Sequence, residues 1–146
     1  MSKAESAELI LKLYDLRREA TMREARNWIL TFFPESAADV MQAIMNPETS
    51  AYYRMVVSYW DMAASFVNHG AIDEEMFNDT NGEHFVIFSK VEPFLPELRE
   101  TMGNPKIMAN LEKLIMRQPD AKENLAKIRE RMKGYMEARK EMTKNA

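Results

Sequence analysis

No cysteine occurs in the chain, which excludes a disulfide framework, thiolate metal sites and cysteine nucleophiles. Glycine is scarce, with 4 in 146 residues. No glycine-rich loop exists to cradle a phosphate, and no serine nucleophile elbow is present. Histidine occurs only at His69 and His84. The diiron-bundle spacing needs glutamate three residues before histidine, where this chain has Phe66 and Asn81. No His-Glu-x-x-His motif occurs either, so no metal site and no cofactor are expected. Apolar runs fall short of the roughly 18 residues of a membrane span. The amino end is charged and lacks a signal-peptide core. A cytoplasmic protein away from membranes is the expectation.

What the chain has in quantity is methionine, 13 residues, a good helix former and a pliable core filler. With so little glycine, this composition suits helices better than sheets. The most informative stretch is Ser50 to Gly70, apolar around most of a helical wheel, as in a helix enclosed by a bundle. Its polar residues Arg54, Ser58, Asp61, Ser65 and Asn68 recur at spacings of 4, 3, 4 and 3, one narrow stripe down one face. The chain therefore reads as an all-α, single-domain bundle over residues 1–146. A largely buried central helix (about Ser50–His69) is flanked by long N- and C-terminal helices.

The rest of the chain follows the same logic. A long first helix over residues 2–33 is predicted to end before Pro34. Its seam Leu9, Leu13, Leu16, Ala20 is rotated from a second seam, Met22, Ala25, Ile29 and Phe32 or Phe33, which marks a bend or a change of packing partner. Ser36, with Asp39 three residues on, starts a short helix to about Met45. Asn46-Pro47 and Asn104-Pro105 read as a cap plus first-turn proline, opening the central helix and a later one. Asp73 begins another helix. Residues 84–91 are strand-like in type but have no partner strand, so they are assigned to helix. Gly103 is a C-terminal cap. The last helix, 120–143, repeats Ala121, Leu125, Ile128, Met132 and Tyr135 at heptad spacing, with fraying expected beyond Arg139.

Charge is unevenly spread. Residues 34–119 carry 6 basic and 13 acidic side chains, and residues 120–146 carry 8 basic and 5 acidic. The acidic middle repels phosphate backbones and acids dilute the basic tail, which argues against nucleic acid, although binding through the basic last helix is a third reading. Arg17, Arg18, Glu19, Arg23, Glu24 and Arg26 alternate in sign. They read as a solvated face, with an anion-binding patch as the alternative. Around Asp79 a calcium loop fails, because Gly82 in its sixth position puts Phe77 and Phe88 where oxygen ligands must stand. The polar stripe of the central helix faces water, forms a buried network, or lines a ligand groove. The groove's candidate residues are Arg54 and Asp61, with Tyr59, His69 and His84. His69, just before Gly70, also suits a helix cap.

The strings Leu13–Glu19, Met22–Arg26, Ser58–Ala64, Val67–Gly70 and Asp79–Glu83 resemble a group of small, uncharacterised bacterial helical proteins, over roughly Ala7 to Glu100. That resemblance implies bacterial origin and an all-helical fold, and assigns no activity and no site residue. Function is therefore unknown at this point. The leading expectation is a non-enzymatic interaction or scaffold module, homodimeric through Leu9, Leu13, Leu16 and/or Leu125, Ile128, Met132. The rival is a small-molecule binder or enzyme using Arg54 and Asp61.

Overall fold

The computed structural model describes residues 2–145. Among them are nine α-helices: α1 (Lys3–Leu16), α2 (Ala20–Leu30), α3 (Ala37–Met45), α4 (Ser50–Asn68), α5 (Glu74–Thr80), α6 (Glu83–Val91), α7 (Leu95–Met102), α8 (Ala109–Met116) and α9 (Ala121–Lys144). A single 3₁₀ turn, Glu92–Phe94, joins α6 to α7, and no strand occurs among the described residues. The all-α class and the bundle follow directly from this order.

Helix α4 is the centre. It packs between α2 and α8, with further contacts to α3 and α5, while α6 lies against α9. Val56, Trp60, Ala63, Ala64 and Val67 are all buried. Full burial of side chains the size of Val56 and Val67 contributes about 1.5–3 kcal/mol each. Gly70 terminates the helix with φ +80°, so that Ala71 N–H reaches back to the Phe66 carbonyl at 2.8 Å, a Schellman-type end. Enclosure is incomplete on one side, where Arg54, Ser58, Met62, Phe66 and His69 remain exposed.

The N-terminal segment departs from the expected single helix over 2–33. It is two helices, broken at residues 17–19. Glu19 folds its carboxylate onto the start of α2, accepting from Thr21 N–H at 3.0 Å and Met22 N–H at 2.9 Å. Those are backbone donors that a helix start leaves unpaired. The rotated seams reflect this break, with α1 contacting α5 and α2 contacting α4. At its far end α2 is closed from another element. Lys90 of α6 donates from Nζ to the Phe32 carbonyl at 2.7 Å, and its ammonium lies 3.7 Å from the Phe33 ring centre. Burial lowers Lys90 to about 8.

Ser36 caps α3 as expected, accepting from Asp39 N–H at 3.1 Å. Residues 84–91 are helical and Gly103 is a left-handed cap with φ 64°. The two Asn-Pro pairs start no helix. Asn46 Oδ1 accepts from Glu48 N–H at 2.9 Å and Asn104 Oδ1 from Lys106 N–H at 3.0 Å. Each asparagine therefore closes a turn over its proline, and α4 and α8 begin later, at Ser50 and Ala109. Helix α9 continues to Lys144.

Candidate functional site

The sequence candidates do not converge. Tyr59 and Asp61 are two residues apart, about 200° round the helix, and face different neighbours. Tyr59 is buried and its hydroxyl donates to the Leu13 carbonyl near the end of α1, with burial pushing the phenol up to about 12. Asp61 faces α8. Its Oδ1 accepts from Leu111 N–H and its Oδ2 from Asn110 Nδ2, both at 3.0 Å. Because the residue before α8, Met108, is left-handed with φ 53° and offers no side-chain cap, Asp61 supplies that cap from across the interface. Asn68, two turns on, donates to the Asn110 carbonyl at 3.0 Å. The polar stripe therefore splits in two. Asp61 and Asn68 dock α8, whereas Arg54 and Ser58 bond back to their own helix and face water.

His69 is exposed at the end of α4, its Nδ1 2.8 Å from the Ser65 carbonyl. His84 is wholly buried instead. It stacks on Trp60 at 5.6 Å and meets Phe77 edge-on at 4.9 Å. Its Nε2 lies 3.1 Å from Asn78 Oδ1, an acceptor, so Nε2 carries the proton, and Nδ1 has no partner among the described residues. Burial lowers this imidazole to about 3, and it stays neutral at physiological pH. Among the described residues no group of three or more His, Asp and Glu is arranged to hold a metal ion.

A different cluster is assembled by the tertiary structure. At the α1–α2 break, Arg26 Nε donates to both oxygens of Glu83, at 3.1 and 3.0 Å. Trp60 Nε1 donates to the same carboxylate at 2.8 Å. Arg26 Nη1 also reaches the Arg17 carbonyl at 3.4 Å. Arg17 is held by Asn81 Oδ1 at 3.3 Å, its guanidinium 4.9 Å from the Tyr14 ring centre and 5.5 Å from that of Trp60, within cation–π range. Glu83 is the hub, with a side chain 11% exposed. Beside Arg17 and Arg26 opens a cavity of about 810 Å³, lined by Tyr14, Asp15, Leu16, Arg17, Arg18, Glu19, Arg23 and Arg26. The arginines were visible in the sequence as a charged run. Their supports Glu83, Trp60 and Asn81 lie 23 to 64 residues away from what they hold, and no local periodicity links them.

A family model described as a domain of unknown function, DUF4760, matches residues 3–118. The chain belongs to that family. The DUF4760 match takes in α1 to α8 and stops before α9, so the last helix lies outside the matched residues. Four of the five strings that carry the resemblance, Leu13–Glu19, Met22–Arg26, Ser58–Ala64 and Asp79–Glu83, contribute residues to the cluster around Glu83. No curated protein and no solved structure matches the chain, and its function is unknown. No helix among the described residues is long and apolar enough to cross a membrane.

Proposed function

We propose that the chain is a non-enzymatic interaction module that pairs with a second copy of itself through the distal half of α9. One observation carries this reading. From Lys133 to Asn145 every residue except Met136 is exposed, yet Tyr135 and Met142 continue the heptad seam of Met132 along that half, at 61% and 76% exposure. An apolar seam on a helix that leaves the body calls for a partner surface.

The proximal half of the same seam is already used. Leu125 is in the chain's own core and so is Leu13, so neither is free for a dimer contact. Leu16 is exposed, and Leu9, Ile128 and Met132 are half-buried. Opposite charge favours an arm-on-body arrangement over pairing of two arms. Residues 120–146 carry 8 basic and 5 acidic side chains, against 6 basic and 13 acidic over residues 34–119. Within the acidic segment, Met62 and Phe66 are exposed neighbours one turn apart on α4 and form the receiving pair. The bacterial, cytoplasmic setting is part of the same reading, supported by the family resemblance and the cysteine-free composition.

Light scattering over a range of concentrations tests the pairing. A dimer is expected for the native chain and a monomer for the double variant Tyr135→Glu, Met142→Glu, whose side chains make no core contacts. A native chain that stays monomeric at every concentration refutes the proposal.

A further inference from the structure

The hollow at the α1–α2 break has the chemistry of an anion receptor. Four guanidinium groups line it, Arg17, Arg18, Arg23 and Arg26, against two carboxylates, Asp15 and Glu19. Arginine stays charged throughout the working pH range. Glu19 is already committed, with both oxygens on the first amides of α2. Of the four arginines only Arg26 holds an ion pair among the described residues, with Glu83 from behind the hollow. Arg17 is fixed without any carboxylate, by Asn81 and the faces of Tyr14 and Trp60. Arg18 lies over the Tyr14 ring at 5.7 Å, and Arg23 is exposed.

Two anchored guanidiniums beside two free ones, in a chain of net charge −3, form a local excess of positive charge with donors left over. Arg17 bonds to the protein through one nitrogen and Arg26 through two, leaving forked N–H groups that match phosphate oxygens. The size of the hollow, about 810 Å³, exceeds a lone phosphate and falls in the range of small-molecule sites. We infer that this hollow binds a small organic phosphate carrying at least two negative charges, gripped by Arg18 and Arg23 against the anchored pair Arg17 and Arg26. The site is independent of the α9 arm and of self-association.

Calorimetric titration of the full chain with inorganic pyrophosphate, at constant ionic strength, tests the inference. Saturable binding is expected, weakened at least about tenfold in the double variant Arg18→Gln, Arg23→Gln and unchanged in Arg54→Gln, an exposed arginine on α4. Arg18 and Arg23 are both exposed and outside any ion pair among the described residues, so the variant keeps its fold, which circular dichroism checks. Absence of saturable binding at millimolar pyrophosphate overturns the inference. Equal weakening by Arg54→Gln also overturns it, because the attraction would then be diffuse. Tighter capture of a single-stranded oligonucleotide, lost steeply with salt, would mark a nucleic-acid face instead and overturns it too.

Discussion

Acidification from about pH 7.5 to about pH 5.5 should cost this protein stability chiefly through one side chain, His84, since Lys90, lowered to about 8, is already mostly charged at the start of this interval. Its imidazole is buried among Trp60, Phe77 and Phe85 and has fallen from the ordinary 6.5 to about 3. A folded-state value below the unfolded one means that the unfolded chain binds more protons. The stabilising contribution is therefore complete above pH 6.5 and is lost as the pH falls toward 3. At about pH 5.5 the unfolded histidine is protonated about tenfold over neutral, which favours unfolding by on the order of 1 kcal/mol relative to pH 7.5. The carboxylates that hydrogen bonds hold below their usual range are Glu5, Glu19, Asp73 and Glu74. They lose their contributions only below their ordinary values of 4.5 and 3.8, outside this window. Urea unfolding followed by tryptophan fluorescence at the two pH values measures the loss directly. His84→Phe keeps an aromatic ring against Trp60 and removes the titration, so the variant should lose almost nothing over the same interval. An undiminished loss in His84→Phe, or a folded-state His84 that titrates near 6.5 by NMR, would refute the reasoning.

Asp61→Ala removes both bonds that hold the start of α8 and should destabilise the chain by about 1–2 kcal/mol in urea. Arg54→Ala, on the same face but in water, should stay within about 0.5 kcal/mol of the native chain; equal effects would contradict the split of the stripe. Glu83→Gln keeps an acceptor for Trp60 but abolishes the charge that anchors Arg26. A cost of about 1–2 kcal/mol is expected, below that of breaking a fully buried pair because Arg26 retains partial access to water. A native-like denaturation midpoint would show that Glu83 is not the hub.

The legible parts of the fold are those in which neighbours along the chain decide the outcome. The extent of α4 was readable because its apolar wheel and Gly70 are local signals, and the Ser36 cap because its acceptor and donor lie three residues apart. The break at residues 17–19 left only an indirect trace, the rotation between two seams, because the cap just before α2 is Glu19, and glutamate is not among the residues that usually mark that position. Asn46-Pro47 misled for the opposite reason. The pair is compatible with a helix start and with a side-chain-closed turn, and only the bond that Asn46 Oδ1 accepts from Glu48 N–H in the folded chain chooses between them. The stripe on α4 was correctly located but not assignable, since a carboxylate facing water and one capping a distant helix have the same spacing in the sequence.

From the amino acids alone came the class and the enclosure. A glycine-poor, methionine-rich chain with one helix apolar on nearly every side has to bury that helix among others, because exposing it would forfeit the hydrophobic gain that offsets chain entropy. Which polar groups meet was decided only in three dimensions. Glu83 holds Arg26 and Trp60, Asp61 caps α8 and Lys90 closes α2, and each pairing answers a buried donor or acceptor that is paired by whatever the packing brings near it, irrespective of separation along the chain.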